Sequence, residues 1–191
     1  MFAFKNKYFL IIESIKDIEL RNINKYNKFI IIYRNKITVD NINDLLKFRK
    51  TCKIKFIEFY VANDFKLSIL LNSDGIYLSS YNKTFKSLNF KNSNYKIIGS
   101  AHNVKEITLK IKQGCGYILL SKLFKVDYDK SSNFLGINKF NTYVKNIYNE
   151  LVPLGGIKIS NLNSLKNLNC NCIALLSEVK KKPANIINRL F

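Results

Sequence analysis

His102 is the chain's only histidine, and it sits in Gly99-Ser100-Ala101-His102-Asn103, between an apolar run and an amphipathic segment. An imidazole, whose ordinary pKa lies near neutrality, suits acid or base work. A polar residue in the turn before a helix is the plainer reading of the same spacing. Gly155-Gly156 follow the apolar Val152-Pro153-Leu154, and Ser177 follows the apolar Ile173 to Leu176. Glycines beyond one buried strand and a serine beyond the next leave backbone N–H groups unblocked near a helix N-terminus, which makes a cradle for phosphate. A glycine turn and an N-cap serine would use the same residues. Cys170-Asn171-Cys172 could suggest a metal, but no second Cys/His pair completes a zinc set. Cys52, Cys115, Cys170 and Cys172 are therefore read as reduced structural thiols.

The elements that must position these residues are short apolar runs alternating with segments of helical period, the pattern of parallel strands with helical crossovers. Strands are expected at Tyr8–Ile12, Phe29–Tyr33, Phe56–Val61, Gly75–Leu78, Lys96–Gly99, Gly116–Leu120, Val152–Leu154 and Cys172–Leu176. Helices are expected from Ser14 to Asn24, from Asp40 as N-cap through Phe48, from Asn63-Asp64 to Asn72, and from Asn103 to about Gln113. Two more follow, near Ile137 to Tyr148 and near Leu162 to Leu168. Counting alone does not separate an eight-stranded barrel from an open doubly wound sheet. No GxGxxG turn follows the first strand, which counts against a dinucleotide-binding sheet. All seven glycines lie from Gly75 onward, mostly at strand starts or just after strand ends. A barrel brings its backbone to ligand phosphates at those ends.

A chain of 191 residues that is 47% hydrophobic, with 14 Phe and 11 Tyr, suits one buried core and one domain spanning 1–191. Its longest uncharged runs are strand-sized, so no membrane partner is expected. The formal net charge is +19, which raises the alternative of a basic RNA-binding protein. Of the 32 basic residues only Arg21, Arg34, Arg49 and Arg189 are arginine, and a nucleic-acid interface favours arginine's planar fork. Nucleic acid is accordingly not the expected partner, and the charge is expected to raise affinity for small anions. Met1 to Ile12 shows no secretory cleavage pattern, so a cytoplasmic location is expected.

Several short stretches, in order after successive strands, carry a family resemblance. They are Arg34-Asn35-Lys36, Asn63-Asp64, Asp74-Gly75-Ile76-Tyr77-Leu78, Gly99-Ser100-Ala101-His102, Gly155-Gly156-Ile157 and Ser177. Over nearly the whole chain the sequence resembles the thiamine-phosphate synthase and TenI-like group. The resemblance implies a single compact (β/α)8 TIM barrel that acts in thiamine biosynthesis. It implies a transferase joining a hydroxymethylpyrimidine diphosphate to a thiazole phosphate with release of pyrophosphate. Small phosphorylated substrates would be its partners, and homo-oligomer formation is left open.

By the same resemblance Arg34 and Lys36 grip the diphosphate, Asn63 touches the pyrimidine substrate and Ser100 bonds on the diphosphate side. Lys130, Gly156, Leu176 and Ser177 hold the thiazole phosphate, and Asp64 ligates Mg2+. The chain departs from the pattern in three places. Ile32 stands where the synthases have Gln, Asn82 stands where they have a second metal-binding Asp, and the loop Phe124 to Lys130 lacks their threonines. These departures keep a second form open: a TenI-like thiazole tautomerase with His102 as its catalytic acid/base, or a catalytically degraded thiazole-phosphate binder.

Overall fold

The computed structural model of the protein describes residues 7–23, 27–35, 40–90, 94–127, 131 and 133–181. Its strands are β1 (Lys7–Ile12), β2 (Phe29–Tyr33), β3 (Glu58–Ala62), β4 (Gly75–Leu78), β5 (Lys96–Ala101), β6 (Tyr117–Ser121), β7 (Glu150–Leu154) and β8 (Cys172–Leu175). Its α-helices are α1 (Ile42–Ile54), α2 (Phe65–Leu70), α3 (Val104–Lys112), α4 (Gly136–Asn146) and α5 (Ser177–Lys181). All strand pairs are parallel, in the order β7-β6-β5-β4-β3-β2-β1-β8. β7 and β8 then pack side by side, which curls the sheet into a nearly closed (β/α)8 barrel.

The continuous apolar runs follow from burial on both faces of the sheet. Phe9, Ile11, Ile30, Ile32, Tyr60, Tyr77, Ile98, Leu119 and Val152 form one buried cluster, the barrel interior. Their alternating neighbours, among them Tyr8, Leu10, Ile31, Phe59, Ile76 and Ile118, form another beneath the surrounding helices and turns. Because side chains alternate with a period of two, carrying the inner series one step further predicts what rims the C-terminal mouth. Ile32 leads to Arg34, Tyr77 to Ser79, Ile98 to Ser100 and His102, Leu119 to Ser121, and Ala174 to Leu176.

Four expectations need correction. The segment after β1 is two 3-10 turns, Ile15–Asp17 and Leu20–Asn22, with Asn24 outside the described residues. The Asp17 carboxylate takes the backbone N–H groups of Glu13 and Ser14, and Asp40 takes the Ser14 hydroxyl and the Ile15 N–H. Such side-chain acceptors compete with a helix ladder. Asp40 is thereby occupied, and Asn41 caps α1 instead. The third strand begins at Glu58, because Phe56 is exposed and has φ 53°, a conformation outside the β region. The segment Ile159–Asn167 is helical but of the tighter 3-10 type.

At the N-terminal end of the barrel, charges are paired. Glu58 meets Lys7 at 2.9 Å, Lys96 at 3.0 Å and the Tyr60 hydroxyl at 2.7 Å. Burial pushes its carboxyl pKa up, but these three donors outweigh burial and hold it at about 2. Arg49 pairs with Asp74 at 2.9 Å. In this fold, that end serves stability and the opposite end chemistry.

Candidate functional site

Two adjoining cavities open at the C-terminal mouth, and Arg34, His102, Ser121 and Leu154 line both. The first, about 290 Å³, is bounded by Gly155, Gly156, Ile157, Leu176 and Ser177. The second, about 320 Å³, is bounded by Asn35, Asn63, Ser79, Tyr81 and Ser100. Arg34 continues β2 into the mouth, anchored by its backbone N–H to the Ile12 carbonyl at 2.8 Å. Its Nε is shielded from solvent and has no hydrogen-bond partner among the described residues, so this cationic donor is left for something that enters the mouth.

The glycine loop follows β7 closely against β6. The N–H of Phe124 donates to the Gly155 carbonyl at 3.0 Å, and Asn161 Nδ2 donates to the Gly156 carbonyl at 2.8 Å. With these carbonyls tied back, the N–H groups of Gly155, Gly156 and Ile157 meet no acceptor among the described residues. Both glycines have positive φ, 94° and 69°. Successive uncommitted N–H groups in such a turn suit an anion. Lys158 and Asp127, paired at 2.5 Å, also border this cavity.

In the second cavity Asn63 has φ 60°, and its amide is fully engaged. Nδ2 donates to the hydroxyls of Ser79 at 2.7 Å and Tyr81 at 3.1 Å, while Oδ1 accepts from Ser79 N–H and Asn82 Nδ2, each at 3.0 Å. Its role there is to join the loops after β3 and β4. Ser100 is buried and shares the Tyr77 hydroxyl with Arg34; burial raises the Tyr77 pKa against both. Ile32 lies in the apolar barrel interior.

His102 stands between the two cavities. Its Nδ1 is 3.0 Å from the Ser121 hydroxyl and 3.2 Å from the Ser121 carbonyl, and its backbone N–H donates to Glu106 at 2.8 Å. A carbonyl only accepts, so the neutral tautomer with its proton on Nδ1 would donate to the Ser121 carbonyl and leave Nε2 as an acceptor.

Arg34, Asn63, Ser100, His102, Gly156, Leu176 and Ser177 are thus gathered around one mouth. Asp64 is not among the lining residues, and its carboxylate caps α2 by accepting Leu67 N–H at 2.9 Å. Asn82 Oδ1 takes the Thr84 N–H at 3.0 Å. Lys36 and Lys130 lie outside the described residues. No group of three His, Cys, Asp or Glu side chains able to hold a metal occurs among the described residues. With Asn82 a neutral amide whose Oδ1 is used, and Asp64 off the cavity walls with one of its two oxygens on α2, the described donors do not make a Mg2+ site, which calls for several free oxygens.

Ser121 and Lys110 were not singled out from the sequence. Ser121 is the polar end of an apolar strand, and period-two alternation marks it as a mouth residue. Lys110 lies on the buried face of α3, three residues after Ile107, and donates to the carbonyls of Ser79 and Asn82. Burial lowers its pKa.

A family profile described as thiamine monophosphate synthase matches residues 19–179. The thiamine-phosphate synthase of Prochlorococcus marinus (strain AS9601) is 31% identical over 143 residues, covering 73% of this chain and 40% of that protein. The thiamine-phosphate synthase of Dictyoglomus turgidum is 26% identical over 132 residues, covering 68% of this chain and 59% of that protein. The chain thus spans well under two thirds of the length of these relatives. Among solved structures, a thiamine phosphate pyrophosphorylase from Pyrococcus furiosus superposes with a TM-score of 0.75 at 16% identity, covering 98% of this chain and 95% of that one. A 3-hexulose-6-phosphate synthase does so with a TM-score of 0.65 at 9% identity, covering 96% and 97%. At such identities the likeness is one of fold. No described helix is long and apolar enough to cross a membrane.

Proposed function

Because the chain belongs to the thiamine monophosphate synthase family, we propose that its barrel mouth joins a hydroxymethylpyrimidine diphosphate to a thiazole phosphate and releases pyrophosphate. The observation that carries the reading is the pair of adjoining cavities with Arg34 and His102 in their shared wall. One cavity offers uncommitted amides to a phosphate. The other, about 320 Å³, is lined by the polar side chains of Asn35, Asn63, Ser79 and Ser100 and would take the pyrimidine and its diphosphate. In the reaction, the methylene C–O bond of the pyrimidine breaks and its electron pair leaves with pyrophosphate. The ring nitrogen of the thiazole then donates its lone pair to the methylene carbon, forming the C–N bond.

The chain's residues supply binding, charge and orientation. Arg34 presents a fixed cation to the diphosphate as negative charge builds on it, a contribution that needs no reorganisation at the moment of bond breaking. Lys36 and the Ser100 hydroxyl assist it in this reading. Gly156, Leu176, Ser177 and Lys130 hold the thiazole phosphate, and holding both rings in adjoining cavities makes the step effectively unimolecular. Asn63 positions the loops that wall the pyrimidine side. No step is assigned to Mg2+.

The test is formation of thiamine phosphate and pyrophosphate in equal amounts from the two substrates, followed for the intact chain and for Arg34→Met. The variant is expected to weaken pyrophosphate binding at least about tenfold, the scale of a lost charge-assisted contact, and to slow turnover with it. No product from the intact chain would reject the reading. A tautomerase form is favoured by one specific observation, the His102 imidazole held through Nδ1 by Ser121 in the wall shared by the two cavities. His102→Ala separates the two: synthase turnover survives it, whereas aromatisation of a thiazole phosphate would not.

A further inference from the structure

The loop after β4 carries Asn82, where the resemblance implies a metal-binding acid, and here that loop is fastened from beneath by a cation of the chain's own. Lys110 Nζ donates to the carbonyls of Ser79 at 2.7 Å and Asn82 at 2.8 Å, and to Gln113 Oε1 at 2.9 Å. An ammonium has three donors, and three acceptors take them. Lys110 is fully buried, so little water screens it. Its stem reaches the loop because residue 99 is glycine: a β-carbon there would lie 2.8 Å from Lys110 Cδ. Gln113 completes the clasp, its Nε2 donating to the carbonyls of Asn82 at 3.1 Å and Thr84 at 2.6 Å.

Side-chain oxygens around the loop already accept hydrogen bonds within the chain. Asn82 Oδ1 binds Thr84 N–H, Asn63 Oδ1 takes two donors, and Asp64 Oδ1 caps α2. A hard divalent cation needs several free oxygens, and a fixed positive charge beneath the loop opposes its arrival. Arg34, whose Nε is buried and without a partner among the described residues, lines the same cavity as Ser79 and Tyr81 of that loop.

We propose that this site takes its phosphorylated ligand without a divalent cation, the buried ammonium of Lys110 holding the β4 loop that a metal would otherwise tie down. The inference rests on the reading of the mouth as a diphosphate site. Its test is the melting temperature of the intact chain with inorganic pyrophosphate, in EDTA and in excess Mg2+. Pyrophosphate is expected to raise the melting temperature in EDTA, with no larger rise in Mg2+. A rise confined to Mg2+ overturns the inference and leaves the proposed function standing. No rise in either condition removes the diphosphate site, and both fall together. Lys110→Met keeps an apolar stem and deletes the ammonium, and it is expected to shrink the rise seen in EDTA. An undiminished rise would overturn the role given to Lys110, and if the variant does not fold, the intact chain in EDTA decides.

Discussion

A β-carbon on Gly156 would stand 2.5 Å from the Phe124 carbonyl oxygen and 2.6 Å from that of Lys125, at a φ of 69°. Neither backbone atom can swing aside as a side-chain tip would, and an L side chain is strained at that φ. Gly156→Ala is therefore expected to cost roughly 2–4 kcal/mol, the sum of left-handed strain and overpacking. It should also abolish the effect of thiazole phosphate on the melting temperature. Chemical denaturation of the two proteins, with and without that ligand, checks both effects; an unchanged midpoint would contradict the packing argument. Other residues were less legible from type alone. Asn63 and Asp64 are adjacent in sequence, yet one closes a four-bond amide network and the other caps a helix. Their neighbours in space come from the β4 loop and α2, and only the folded chain brings these together.

Elements were read most reliably where burial dictated the sequence. The eight apolar runs are all strands because parallel strands buried on both faces leave no polar alternation to confuse with a helix. The turns after β1 failed as a helix because Asp17, close by in sequence, and Asp40, distant in sequence, take the backbone donors. The N-terminal ends of β1, β3 and β5 meet in the Glu58 cluster, whose energetics follow from one depressed pKa. Folding lowers the Glu58 pKa from an ordinary 4.5 to about 2. Its stabilisation is therefore present above pH 4.5 and lost as pH falls from there toward 2. Glu58→Gln is expected to lower stability by about 2 kcal/mol at neutral pH, with the difference from the parent narrowing across that acid window. Urea midpoints measured at successive pH values test this, and a gap that stays constant down to pH 2 would refute it.

At the scale of the whole molecule, curling the sheet places the C-terminal ends of distant strands on one rim. Arg34 and Ser177 are 143 positions apart in the chain and border the same cavity. Order along the sequence was enough to suggest that gathering, since the motifs fell after successive strands. What it lacked was the wall between the cavities, where His102 and Ser121 meet across β5 and β6. The net charge of +19 favours anions in general, and in the proposed reading the mouth selects among them by uncommitted amides and a shielded guanidinium. A crystal structure of the chain with thiamine phosphate, the joined product, tests this account most directly. The account predicts the phosphate on the N–H groups of Gly156 and Ile157 beside Ser177, with the pyrimidine on the Asn63 and Ser100 side of Arg34. A product bound away from the mouth, or with its phosphate outside the glycine loop, would contradict it.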